Sequence, residues 1–246
     1  MGARYLIGID DTDNLESAGT GRRARQLGEA LAAAGLARVE GITRHQLLVS
    51  PRIPYTSHNS SACLTVTAAA RFEDIRGLCR DFLLAASAPG SDAGLCLAAW
   101  GGEIPELVEF GERAKMSVLR KSQAMAVPAA NAGIVLEGLT GDHGGVIGAL
   151  AAVGLRAGGE DGRFLWLPGL RELSGVYACS RLAASAGIDE VRGVDGETVP
   201  PGALIEAGEW VRPVLRGGKA VLLMERKDGQ DDGWRLLARE RVKAIS

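Results

Sequence analysis

The chain has 246 residues, 46% hydrophobic and 24% charged, a balance that excludes an intrinsically disordered protein. That length can bury a substantial core without disulfides or metals, as one large domain or two small ones. Lys plus Arg number 28 and Asp plus Glu number 30, a net charge of −2, so no global positive field advertises nucleic acid. A local basic patch stays compatible with that balance, but no DNA partner is expected. The 34 glycines are about twice the usual share and imply many turns or close backbone approaches.

Cys63, Cys79, Cys96 and Cys179 are scattered, with no C-x-x-C pair, so buried thiols are expected rather than a zinc ribbon. No secretory signal opens the sequence, and no apolar run reaches the roughly 18 residues of a membrane span. A cytoplasmic protein with no membrane partner is expected.

Arg4 to Ile9 is a short apolar run that stops at Asp10-Asp11-Thr12-Asp13 and reads as a buried strand. Thr20 to Gly35 is helical, with Ala24, Leu27 and Leu31 on one face and Gly35 placed to cap it. Val39 to Val49 reads as a strand or hairpin broken by Pro51 and Pro54, and residues 54–61 as a polar loop. Ala62 to Thr67 alternates as a strand does, and Phe72 to Ala86 is a helix with Ile75, Leu78, Phe82 and Leu83 on one face. Residues 85–92 are a small-residue turn region, 105–126 are largely helical, and 128–133 read as a linker. Gly133 to Glu137 is a strand candidate, Gly141-Asp142-His143-Gly144-Gly145 opens a helix from Val146 to Gly154, and Phe164 to Trp166 is a strand. Cys179 to Ala186 is a short helix and Glu190 to Arg192 a strand. Residues 209–215, 220–226 and 234–242 are strand-like, with Gly217-Gly218 and Asp228-Gly229 as turns, which predicts a small antiparallel tail. The β–α–β alternation predicts α/β or α+β architecture.

Asp10, Asp11 and Asp13 crowd the end of the first strand. Carboxylates this close repel one another unless a cation sits among them, and Mg²⁺ suits such a site because it takes one or two carboxylates plus phosphate oxygens. Gly19-Thr20-Gly21 opens a helix whose first N–H groups can meet an anion, and Arg22, Arg23 and Arg25 stand close enough in sequence to clamp phosphate. The same residues would also serve as a solvated turn, a helix cap and a charged helix face. Neither P-loop nor Rossmann spacing is present.

Gly8-Ile9-Asp10-Asp11-Thr12-Asp13, with Thr20 seven residues after Asp13, resembles the start of the archaeal isoleucine-tRNA agmatidine synthase (2-agmatinylcytidine synthetase) family. Ile53-Pro54-Tyr55 is similar to that family's loop near the nucleotide. The run from Gly144 to Gly154 is similar to the signature helix of its ferredoxin-like domain, and Trp210 to Gly218 faintly resembles its β-rich region. The similarity spans residues 5–195 in order. It implies a kinase-like ATP-binding domain over 1–127, a ferredoxin-like domain over 128–195 and a small β-rich tail over 196–246. It also implies ATP and Mg²⁺ as cofactors, phosphorylation of an acceptor oxygen, and displacement of the phosphate by an amine. Asp10, Asp11 and Asp13 would hold metal, Asp10 and Asp11 would also act in catalysis, and Thr20 would match a phosphorylatable threonine. Gly8, Gly19, Gly21, Arg22, Tyr55, Ser57, His58, Asn59, Ser60 and Ser61 would contact the nucleotide. Without a C-x-x-C pair the chain reads as a shortened homologue lacking the family's zinc ribbon, so its acceptor is a small molecule or an RNA. Two other readings stay open: a non-catalytic nucleotide- or RNA-binding module, and a small-molecule kinase. The oligomeric state is not legible.

His58 sits among Ser57, Asn59, Ser60 and Ser61, whose hydroxyls and amide can cradle an anion or form an ordinary polar loop. His45, between Arg44 and Gln46, reads as a surface strand position, and His143 as part of a helix start. A Ser–His–Asp triad finds no nucleophile elbow. Aromatic residues are too sparse for a base-stacking platform.

Overall fold

The computed structural model describes residues 2–53, 58–102, 104–227 and 233–246. The chain is an α+β protein that forms two compact units, residues 1–158 and 159–246. The sequence-read boundaries at 127/128 and 195/196 fall inside these units, the first of them within a helix.

In the first unit, strands β1 (Arg4–Asp10), β2 (Ala37–Gln46), β3 (Ser60–Ala68), β4 (Gly94–Ala99) and β5 (Ile134–Gly138) form a sheet in the order β2-β3-β1-β4-β5. Every pairing among them is antiparallel. The rule that places ligands beyond the carboxyl ends of parallel strands therefore does not apply. What matters instead is that β1 and β4 run in opposite directions, so the end of β1 at Asp10 meets the start of β4 at Gly94.

Helices cover both faces of this sheet. On one face lies α1 (Thr20–Ala33), whose Leu27 and Leu31 are fully buried; a Cβ on Gly28 would touch Val39, Ile42 and Leu64 of the sheet. Gly35, at φ +67°, ends α1 in the left-handed conformation expected of it, and Leu36 N–H bonds back to Leu31 O. With α2 (Phe72–Ala86), buried through Ile75, Cys79 and Leu83, α1 closes this face. The opposite face carries α5 (Val146–Gly158), whose residues from Ala149 to Val153 are completely buried. Its close seat on the sheet depends on missing side chains. A Cβ on Gly8 of β1 would fall 2.1 Å from Ala149 O, and one on Gly94 would fall 2.1 Å from the Gly145 carbonyl carbon. Helix α3 (Pro105–Met116) packs on α5 in the same way, with Gly154 against Leu107 O.

Three local readings change. The apolar run 94–99 is strand β4, a central strand that the sequence reading passed over. The helical stretch 105–126 breaks at Ser117–Arg120, and α4 (Lys121–Ala130) continues through the supposed linker with Pro128 in its last turn, where it removes only one helical bond. His45 is completely buried rather than on the surface, because its side of β2 faces inward and its Nε2 bonds Thr43 Oγ1 at 2.8 Å.

The second unit comprises β6 (Arg163–Trp166), β7 (Gly175–Ala178), α6 (Cys179–Ser185), β8 (Glu190–Gly193), β9 (Leu204–Ala207), β10 (Val214–Arg216), β11 (Lys219–Arg226), β12 (Trp234–Leu236) and α7 (Arg239–Ala244). Strands β6, β10, β11 and β12 pair antiparallel in that order, β8 adds to β11 in parallel, and β7 pairs with β9. Phe164, Leu182, Ile205, Leu215, Met224 and Trp234 lie in its core. The expected third strand over 234–242 is short: it ends at Leu236, and Arg239 begins a helix. All four cysteines are buried thiols, and burial pushes Cys63 and Cys79 up to about 12. Among the described residues no helix is long and apolar enough to cross a membrane.

Candidate active site

The last residue of β1 is Asp10, and at Asp11 the backbone turns into the left-handed region, φ +51°. Asp is among the few residues that tolerate this conformation, and its use here marks the chain reversal as a constrained one. Asp10 and Asp11 both line a cavity of about 370 Å³, a size that suits a small ligand. Burial, and then the charges of Asp11 and Asp13, hold the Asp10 carboxyl well above the usual range, against one backbone hydrogen bond that lowers it. Burial first, then Asp92, with Asp13 and Asp142 adding to it, pushes Asp11 up to about 6.

Asp92 and Asp142 also line this cavity, and neither was singled out from the sequence. Asp92 precedes β4, which brings it beside the end of β1. Its Oδ1 accepts Asp142 N–H at 2.7 Å and its carbonyl accepts Gly145 N–H at 2.8 Å, so it holds the turn that starts α5. Gly141, at φ +55°, leaves the room: a Cβ there would fall 1.7 Å from Asp92 Oδ1.

Three cations face these acids across a lining that is otherwise largely apolar, with Leu47, Ile53, Val118, Leu119 and Ile147. Arg52, Arg120 and Lys121 line the cavity, together with Gly144, Gly145 and Gly148 at the start of α5. Arg120 and Lys121 open α4, so the N-termini of two helices border the same space, and helix N-termini favour anions. Lys121 Nζ donates to Asp142 O at 2.5 Å and stands 3.3 Å from Asp142 Oδ2, which pulls the Asp142 carboxyl below its ordinary value. The arginines chosen from sequence lie elsewhere: Arg22 is exposed, Arg23 bonds Gln26 and Arg25 bonds Gly21 O. Proximity in sequence to the acidic loop was the signal that favoured them. The break between α3 and α4, which brings in Arg120 and Lys121, was not read.

Asp13 and Thr20 form a separate pair. Asp13 Oδ1 accepts Thr20 N–H at 3.1 Å and Thr20 Oγ1–H at 2.7 Å. Thr12 Oγ1 donates to Thr20 Oγ1 at 3.1 Å, and both threonines are buried. Gly19 is the N-cap of α1, and Thr20 is the first helical residue. This network closes the loop after Asp11, and neither Asp13 nor Thr20 lines the cavity.

Of the remaining candidates, Asn59 lines the cavity, its amide donating to Leu48 O at 2.7 Å. Gly8 lies in mid-strand beneath α5, and Gly19 and Gly21 lie at the start of α1. His58 is exposed, and Ser60 and Ser61 belong to β3. Tyr55 and Ser57 lie outside the described residues. Among the described residues no group of three His, Cys, Asp or Glu side chains is arranged to hold a metal ion. A metal here would take one or two carboxylates, with phosphate and water completing its shell. That is how Mg²⁺ is held, and the crowded Asp10 and Asp11 fit it.

No family model and no curated protein matches the chain. Solved structures do. A tRNA fluorescent labeling enzyme is 26% identical over 61% of this chain and 36% of its own, with a TM-score of 0.54. TiaS in complex with an isoleucine tRNA and ATP is 25% identical over 62% of this chain and 36% of its own, with a TM-score of 0.53. TiaS with the same tRNA, AMPCPP and agmatine is 24% identical over 62% and 36%, with a TM-score of 0.54. The chain thus spans little more than a third of the length of the proteins it resembles, and what it shares with them is an α+β fold of the TiaS kind.

Proposed function

We propose that the first unit binds ATP with Mg²⁺ and passes the terminal phosphoryl group to an acceptor oxygen, whose phosphate an amine then displaces. One observation carries this reading: a single cavity joins two crowded carboxylates, Asp10 and Asp11, to a cationic wall of Arg52, Arg120 and Lys121 bordered by two helix N-termini. Metal-bridged phosphates need that combination of charges. TiaS, whose fold this chain resembles, is described with ATP and tRNA bound.

In this reading Asp10 and Asp11 hold Mg²⁺, and bound metal neutralises charge on the transferring phosphate. Arg52, Arg120 and Lys121 receive phosphate oxygens, and the missing side chains of Gly145 and Gly148 let the start of β4 and the Asp10 carboxylate lie against the first turn of α5. Asp13 and Thr20 keep the loop in shape. The acceptor is an RNA or a small molecule, as the resemblance in sequence implies.

Calorimetry of the whole chain with ATP, with and without Mg²⁺, tests the binding half. Incubation with ATP, Mg²⁺, an amine and either RNA or small carbonyl compounds tests the chemistry. ADP release that depends on acceptor supports phosphoryl transfer. AMP release moves the cleaved bond to the α-phosphate. Magnesium-dependent binding with no turnover leaves a nucleotide-binding module, and no binding overturns the reading.

A further inference from the structure

Side chains alternate along a strand, so one face of the sheet can be read across three strands. Thr65 of β3 faces α5, because Arg156 Nε donates to its hydroxyl at 3.1 Å. Ser61 and Cys63 share that face with Thr65. On β2, Thr43 and His45 pair with Cys63 and Ser61. On β1, Gly8 pairs with Cys63, and the register continued one residue past Ile9 and Ala62 sets Asp10 beside Ser61. His45, Ser61 and Asp10 therefore form a row beneath α5, with the serine between the other two. That order differs from a hydrolase triad, in which the histidine stands between acid and nucleophile.

The other polar side chains of this face are engaged. His45 bonds Thr43, Thr43 donates to Cys63 O at 3.3 Å, and Thr65 accepts from Arg156. Ser61 is 1% exposed, and its hydroxyl makes no hydrogen bond among the described residues. Buried hydroxyls without a partner are exceptional and call for an explanation. Directly opposed residues stand about 4.5–5.5 Å apart at Cβ, within reach of a hydroxyl that turns about χ1.

We propose that Ser61 is a positioning residue for Asp10, its hydroxyl turning to donate to the Asp10 carboxylate when that carboxylate holds nucleotide-bound Mg²⁺. Ser61 was expected from sequence to contact the nucleotide itself. Its place beneath α5 gives it Asp10 as the neighbour to act through. The inference rests on the magnesium–ATP reading above.

The experiment compares the wild-type chain with Ser61→Ala and Ser61→Cys by calorimetry and thermal melting. Ser61→Ala should weaken ATP binding roughly tenfold with Mg²⁺ present, the scale of one hydrogen bond to a charged group. Metal-free ATP binding should be unchanged, since the effect runs through the metal-holding carboxylate. The melting temperature of the unliganded variant should hold or rise, because the substitution removes an unpartnered buried hydroxyl. Ser61→Cys, close in shape with a weaker donor, should fall between. Wild-type affinity in Ser61→Ala, or an equal loss with and without Mg²⁺, overturns the positioning role and leaves the magnesium–ATP reading standing. Loss of melting temperature with affinity unchanged shows a purely structural serine. A wild type that shows no magnesium-dependent ATP binding overturns both.

Discussion

The carboxylate of Asp10 fills the space in which a side chain at Gly148 would begin: a Cβ on Gly148 would lie 1.8 Å from Asp10 Oδ2. Gly148 sits in the first turn of α5, and a glycine inside a helix costs up to about 1 kcal/mol relative to alanine. Here its absence of a side chain lets a strand carboxylate lie against α5 and face the cavity.

Gly148→Ala should therefore act on the site first, by turning the Asp10 carboxylate away, and also strain the fold, because Asp10 Cβ, 2.9 Å from the new Cβ, moves only with β1. Magnesium-dependent ATP affinity should fall at least tenfold while the protein stays folded. Gly8→Ala makes the contrast, since its Cβ would meet the backbone of Ala149, which has nowhere to go. That variant should lose several kcal/mol by overpacking or fail to fold. Circular dichroism and calorimetry on the two variants check both expectations. Unchanged affinity in Gly148→Ala would mean that Asp10 plays no part in binding.

Why was one wall of this site legible in the sequence and the other not? Asp10, Asp11 and Asp13 stand together because an apolar run ends abruptly, and that boundary needs no tertiary information. Helix α1 carried its own signals, a 3.6-residue apolar stripe and Gly35 at its end. The opposite wall comes from Asp92, Arg120, Lys121 and Asp142, which the antiparallel order β1-β4-β5 brings to β1, and from Arg52, which follows β2. Strand β4, built from Gly, Leu, Cys and Ala, lacks the β-branched residues that advertise a strand. The register that seats α5 depends on Gly8, Gly94 and Gly148, and a single sequence does not distinguish such packing glycines from turn glycines. His45 read as exposed because its sequence neighbours are polar, whereas strand alternation turns it inward.

The raised value of Asp11 fixes the sign of a pH effect. The folded protein holds this proton up to about pH 6, while the unfolded chain releases it near 3.8. Between those values the native state binds more protons, so stability falls as pH rises through the window, and the penalty is fully present above it. Asp11 is partly exposed, so solvent screening limits the effect to about 1 kcal/mol. Asp11→Asn should raise stability at pH 7 by that amount and flatten this part of the profile. Mg²⁺ should do the same for the wild type by favouring the ionised form. Denaturant unfolding of the wild type and Asp11→Asn at pH 4 and pH 7, with and without Mg²⁺, measures both, and a stability gap between the two proteins that does not widen from pH 4 to pH 7 would contradict the raised value of Asp11.

Thr20 separates anchoring from chemistry. Its hydroxyl donates to Asp13 and accepts from the hydroxyl and the backbone N–H of Thr12, so these contacts are internal to the loop. Thr20→Ser keeps all three and should be nearly silent. Thr20→Ala should cost about 1–2 kcal/mol, the scale of lost buried hydrogen bonds, and Asp13→Ala should cost a similar amount. Any loss of ATP turnover should then track the loss of folded protein and partly recover on cooling. A well-folded Thr20→Ala variant with turnover abolished would instead assign the hydroxyl to the reacting phosphate, as the resemblance in sequence implies.

The last expectation concerns where phosphate binds, because sequence and structure nominate different cations. The sequence places Arg22 beside the acidic loop at the start of α1. The cavity is lined by Arg120 and Lys121 at the start of α4. Lys121 and Asp142 form an exposed pair, which contributes little to stability, so Lys121→Gln should melt like the wild type. It should still weaken ATP binding, because removing the lysine takes a positive charge from the phosphate wall and leaves the Asp142 carboxylate without its nearest counter-charge. The loss should be largest at low salt and shrink as salt is raised, since screening already weakens the interaction in the wild type. Arg120→Gln should behave alike, and the double variant should lose more than either single one. Arg22→Gln serves as the control and should bind as the wild type does. If Arg22→Gln weakens ATP binding more than Lys121→Gln, the phosphates lie at the start of α1, and the cavity beside Asp10 is not where the nucleotide binds.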